Sequence, residues 1–79
     1  MKITQDVFVE QNDKEGYVTI VQVSPIITED DGTVSFEGLT NKYEVPEVML
    51  ERFIDELDRK FKYTVETIIE SMTIDNEDN

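Results

Sequence analysis

The chain has 79 residues, of which 19 are acidic and 7 basic, with no histidine, no cysteine and a formal net charge of -12. Without cysteine there is no disulfide framework, thiolate site or cysteine nucleophile. Without histidine the commonest general base and transition-metal ligand are missing, so Ser-His-Asp, Cys-His and zinc sites are excluded.

A chain this short forms one small domain that buries little surface alone. No apolar run approaches the ~20 residues needed to cross a bilayer. The opening MKITQDVFVE is polar and acidic, unlike a secretory signal. We therefore expect a cytoplasmic protein with no membrane segment.

Residues 2–10, KITQDVFVE, read as a first strand, with Ile3, Val7 and Val9 on one face and Thr4, Asp6, Phe8 and Glu10 on the other. QNDKEG at 11–16 is a turn signal. YVTIVQV at 17–23 is β-branched or aromatic almost throughout and carries apolar groups on both faces, the pattern of a central strand covered twice. Ser24-Pro25 ends or bulges that strand, since proline removes a ladder donor, and Ile26 and Ile27 extend it beyond a bulge. Glu29-Asp30-Asp31-Gly32 reads as a hairpin turn of type I′. TVSFE at 33–37 alternates with Val34 and Phe36 inward, Gly38 to Asn41 reads as a bend, and KYEV at 42–45 as a short last strand.

The strongest periodic signal follows. Leu50, Phe53, Ile54, Leu57, Phe61, Val65, Ile68 and Met72 recur at steps of three and four, the stripe of an amphipathic helix. Pro46 suits its first position, and Glu47 places negative charge in its first turn. Thr64 and Val65 weaken it locally, but the stripe passes through in phase, so one helix is expected over 46–72. Residues 73–79 read as an acidic, solvated tail. The fold class is α+β: a single domain over 1–72, with an antiparallel β-meander of three or four strands followed by one long C-terminal helix. One helix covers one face of a sheet, so a homodimer is expected to cover the other.

Site chemistry is mostly excluded. Placing Gly16 sixth in a calcium loop puts Gln11 first and Gln22 twelfth; placing Gly32 sixth puts Ile27 first and Gly38 twelfth. Both lack the terminal Asp and Glu that an EF-hand needs. The three glycines are isolated, so no phosphate loop exists. The surplus of acid argues against direct nucleic-acid binding. We expect no enzyme activity, no cofactor, no metal and no catalytic residue.

The acids are unevenly placed. On the helix, Asp55–Arg59, Glu56–Lys60 and Asp58–Lys62 stand four apart in the stabilising order. Asp6, Glu10, Asp13, Glu15, Glu29, Asp30, Asp31 and Glu37 face only Lys2 and Lys14 over residues 1–40. Residues on one strand face repeat every ~6.6 Å, so these carboxylates form an expected row that can receive lysines and arginines built for DNA phosphates. In size and acidity the whole chain resembles the small acidic bacteriophage proteins that imitate DNA. That resemblance implies a non-enzymatic inhibitor or modulator of a basic DNA-binding protein, such as a nucleoid protein, nuclease or repair enzyme, in the host cytoplasm. The alternative is a small homo-oligomeric interaction or assembly protein whose acidity only confers solubility.

Overall fold

The computed structural model describes the backbone of residues 1–77 and the side chains of residues 1–72. Strands β1 (Lys2–Gln11), β2 (Tyr17–Thr28) and β3 (Val34–Pro46) form an antiparallel sheet in the order β1-β2-β3, and one turn of 3₁₀ helix (Glu47–Met49) leads into helix α1 (Leu50–Glu77). This is the expected α+β meander with three strands.

Several boundaries differ from the sequence reading. β2 does not end at Ser24-Pro25 but runs through that dipeptide, whose peptide bond is cis. Proline's missing donor is accommodated by a register shift against β1: Thr4 pairs with Ile26 and Asp6 with Val23. β3 is likewise continuous where a bend at Gly38–Asn41 was expected. Gly38 serves a close approach, since a Cβ there would meet Ser24 O, lie 2.6 Å from Ser24 C and 2.7 Å from Pro25 N. Pro46 ends β3, paired with Tyr17, and does not open the helix. Proline tolerates this place because a strand end on an edge needs no ladder donor from it.

The second hairpin is also not type I′. Gly32 N–H donates to Glu29 C=O at 2.9 Å, and only Gly32 (φ +89°) has positive φ. That is a type I turn closed by a left-handed glycine, which spares Asp30 and Asp31 a conformation costly for residues with a Cβ.

Residues directly opposite in the register share a face. Val18 and Val45, Ile20 and Tyr43, and Val7 and Gln22 are such pairs. Ile20, Val45 and Leu57 form the buried cluster, with Val7, Val18, Tyr43, Leu50, Phe53 and Ile54 packed around it, so α1 lies on this face. Ile20 is fully buried, a contribution of about 1.5–3 kcal/mol. The Tyr43 and Phe53 rings pack with centroids 5.0 Å apart. A chain of hydrogen bonds crosses the same face. Tyr43 OH donates to Gln22 Oε1 (3.0 Å), Gln22 Nε2 to Gln5 Oε1 (2.9 Å) and Gln5 Nε2 to Asp58 Oδ1 (3.3 Å), tying each strand to its neighbour and β1 to the helix.

The helix is continuous through Lys62-Tyr63-Thr64, and Thr64 Oγ1 donates to Lys60 C=O at 3.4 Å. Its stripe is only half core. Leu57 is buried, Phe61, Val65 and Ile68 are half-buried, and Met72 is exposed. The reason is across the interface: beyond the Ile20 row, the next helix-facing row pairs Gln22 with Asn41, which offers little apolar cover, and Leu39 in the row after it stays 78% exposed. The expected tail divides. The backbone is helical through Glu77, whereas the last two residues, and the side chains from Thr73 on, lie outside the described residues.

Candidate functional site

The sheet distributes the candidate acids among four places. Asp6 and Glu10 lie on β1 opposite Val23 and Thr19, on the face away from the helix. Four residues separate them, about 13 Å of strand. Glu37 lies opposite Ile26 on the helix-facing side of the sheet, so it does not join them. Asp13 and Glu15 sit in the β1–β2 turn, and Glu29, Asp30 and Asp31 at the β2–β3 turn. Those turns stand at opposite ends of the 12-residue β2, about 36 Å apart. The carboxylates therefore run along the molecule as two end clusters joined by a sparse middle, rather than as an even row. The body they line measures 55 × 23 × 15 Å.

Local hydrogen bonds fix the two turns. Asn12 Oδ1 accepts from Lys14 N–H at 2.7 Å, and Tyr17 N–H donates to Lys14 C=O at 3.1 Å, shaping the first turn around Gly16. Glu47 N–H donates to Gly16 C=O at 2.8 Å, which ties that turn to the start of the helical segment. In the second turn Asp31 Oδ1 accepts from Thr33 Oγ1 (2.6 Å) and Thr33 N–H (2.9 Å), holding its carboxyl below the usual range. The N-terminal ammonium hydrogen-bonds and ion-pairs with Asp30, lowering that carboxyl and raising the ammonium in turn. Glu29 accepts from Ser35 Oγ at 2.6 Å. Asp30 and Asp31 thus stay anionic to lower pH than ordinary carboxylates would.

The end of the sheet beside the first turn is partly neutralised. Lys42 Nζ stands 3.8 Å from Glu10, and Lys14 Nζ stands 3.6 Å from Glu44 while lying 4.0 Å over the Tyr17 ring. Glu44 also accepts from Asn12 Nδ2 at 3.2 Å. Glu44 belongs to this face and is absent from the sequence-derived set. The alternation of KYEV, with Tyr43 and Val45 on the core side, was the signal that placed Lys42 and Glu44 opposite. The helix differs from expectation too. Among the described residues, its ion pair is Arg59–Glu56 at 3.5 Å, three apart, and none of the three pairs four apart forms. Asp58 is instead drawn to Gln5, because it stands over the β1 edge.

The described residues form shallow concavities. The one between helix and sheet, lined by Gln22, Tyr43, Phe53, Leu57, Lys60 and Phe61, has a volume near 260 Å³. The charged groups along it are Glu56 and Lys60, both from α1. Among the described residues, no group of three carboxylates is close enough to hold a metal ion, and no helix is long and apolar enough to cross a membrane. No protein-family model, curated protein or solved structure matches this chain.

Proposed function

We propose that this protein is a non-enzymatic binder that captures a basic DNA-binding protein through the carboxylates of its two turns. The observation that carries this reading is the spacing of the turn clusters. Asp13 and Glu15 stand one strand length from Glu29, Asp30 and Asp31, about 36 Å. One turn of B-DNA measures about 34–36 Å, the separation at which dimeric DNA-binding proteins contact successive half-sites. Lysines and arginines arranged for phosphates would meet carboxylates at both ends. Such capture inhibits or modulates the partner by occupying its DNA surface. A nucleoid protein, nuclease or repair enzyme in the cytoplasm fits this chemistry, as it does for the phage proteins the chain resembles.

The test has two stages. The immobilised protein is exposed to bacterial lysate and eluted with a salt gradient; the retained protein is then challenged with duplex DNA. Capture should be lost as salt rises, and duplex should displace the protein from its partner. Retention insensitive to both salt and duplex, or no retention at low salt, defeats the reading. Lysine at Glu29, Asp30 and Asp31 should sharply weaken capture without changing the circular dichroism spectrum. A second reading, an assembly protein made soluble by its charge, is favoured by exposed Phe8 and Phe36 on the sheet; there, the same charge reversal would leave assembly intact.

A further inference from the structure

The chain exposes 6034 Å². A folded monomer of 9.2 kDa should expose about 4,900 Å², so the excess is about 1,100 Å². The radius of gyration is 15.6 Å, against about 12 Å for a compact domain of this length. A standard interface removes about 800 Å² from each partner. The excess is thus more than one such interface would bury, the remainder lying along the half-covered second half of α1.

The apolar part of that surface has a definite place. β2 pairs with β3 in one register from Tyr17 to Ile27, so Val21, Val23 and Ile27 share the face away from α1. The β1 register shift brings Ile3 opposite Ile27, onto this same face, while Phe8 lies opposite Val21 and Phe36 opposite Ile27. Val21 is only 3% exposed, although no described element packs on this face; Phe8 and Phe36 remain about half exposed, at 48% and 51%. This is a strip of large side chains already closed over a buried valine at its centre. Its charges are mostly cancelled within the chain. Glu10 is held by Lys42 and Glu44 by Lys14, which leaves Asp6 as the carboxylate on this face without an ion pair among the described residues.

We propose that this helix-free face docks on the same face of a second copy of the chain, giving a two-layer sheet sandwich with a helix on each outer side. The area in excess of a compact monomer is large enough for the interface. A face that cancels its own charge suits a like copy, whereas a strongly basic partner would find its carboxylates at the turns. Sheets in such a sandwich pack about 10 Å apart with their side chains interdigitated. Phe8 and Phe36 of both copies then become its anchors. The interface is isologous: each copy contributes the same residues.

Sedimentation equilibrium of the full chain, at low and at high salt, tests this. The wild type should be a dimer that tightens as salt screens the net charge of -12 on each copy. Capture of a basic partner should weaken over the same range, so failure of one idea is separable from failure of the other. Phe8→Asp should weaken the dimer on the order of thirtyfold or more, and Phe36→Asp should act in the same direction. Val48→Asp, at a position 92% exposed beside the helix start, should not. Should Phe8→Asp fail to fold, Thr40→Cys gives a second route, because the chain has no other cysteine. Thr40 lies opposite Val23, on the docking face. A spin label there should report a partner label within about 25 Å, given sheets about 10 Å apart. A wild type monomeric at both salts overturns the proposal. So does a dimer that survives Phe8→Asp and Phe36→Asp, or a label separation well beyond that distance.

Discussion

Gly38→Ala isolates one close contact between β2 and β3. A Cβ at this position would sit 2.6 Å from Ser24 C and 2.7 Å from Pro25 N. Ordinary van der Waals contact needs roughly 3.5 Å or more, so one strand must move by most of an ångström. The obstructing atoms are backbone within a paired strand and cannot swing aside as a side-chain tip would. Forced overpacking of this kind costs about 1–3 kcal/mol. Alanine would also stiffen the unfolded chain, a gain of about 0.4–1 kcal/mol. The clash is larger, so the net sign is destabilising.

Thermal unfolding by circular dichroism, at one fixed protein concentration, measures the effect. The two terms leave a net loss of up to about 2.6 kcal/mol, so at about 4–8 °C per kcal/mol for a domain of this size the Tm should fall, by as much as about 20 °C. Gly16→Ala and Gly32→Ala provide the contrast. Neither would meet any atom within 4 Å, yet both sit at positive φ, so each pays only the strain of a left-handed residue, about 1–2 kcal/mol. Relief by small local motion would distinguish the cases: Gly38→Ala should also shift amide signals of Ser24 and Pro25's neighbours on β2, whereas the turn variants should perturb only their own turns. A Gly38→Ala protein that melts with or above the wild type would refute the account of why β3 carries glycine there.

Three further outcomes follow from named contacts. Leu57→Ala removes a buried side chain and should cost about 2–5 kcal/mol, while Phe61→Ala, at a half-buried site beyond the core, should cost clearly less; equal losses in urea titrations would mean the core extends further along α1. Tyr43→Phe and Gln22→Ala each break the hydrogen-bond chain across the sheet, and the double variant should fall short of additivity by about 0.5 kcal/mol or more; additive losses would show that the chain confers no coupling. Asp31 has its carboxyl lowered by Thr33, so the stability it supplies is present above its unfolded value of 3.8 and lost as pH falls below that toward its folded value. The gap between wild type and Asp31→Ala should therefore be open at pH 7 and narrow in acid, and a gap constant with pH would contradict this.

The order of elements was legible because alternation in YVTIVQV and the three-four spacing of Leu50 to Leu57 both report burial directly. Proline and glycine misled for one reason: each has more than one structural use. Ser24-Pro25 resembled a strand end but is absorbed by a register shift, and Gly38 resembled a bend but answers a close approach that only the neighbouring strand reveals. Pro46 fits a helix start by its fixed φ and a strand end equally well, and only the pairing with Tyr17 decides between them. The helix stripe showed which residues share a face, yet could not show that Gln22 and Asn41 would replace apolar cover opposite its second half. Among the candidate acids, local sequence placed the turn residues correctly. Glu37 depended on the continuity of β3, a non-local property, and so was assigned without knowing its face, while Glu44 was left out although the alternation of KYEV placed it away from Tyr43 and Val45.

The separation of the turns bears on how an acidic surface of this kind must act. At about 0.1 M salt the Debye length is about 10 Å. The clusters at Asp13–Glu15 and Glu29–Asp31 are one 12-residue strand apart, about 36 Å, so neither feels the other's charge in solution. They are two sites coupled only through the rigid sheet between them. A partner with two basic patches at matching distance gains the avidity of linked sites, while a partner with one patch binds either end alone. Charge reversal at Glu29, Asp30 and Asp31 and at Asp13 and Glu15 should then lower affinity for a two-patch partner independently, with free-energy losses that add within about 0.5 kcal/mol. Isothermal titration with each variant and their combination measures this. A combined loss equal to the larger single loss, with the other variant unchanged, would mean that one turn alone binds, and the spacing argument would fall with it.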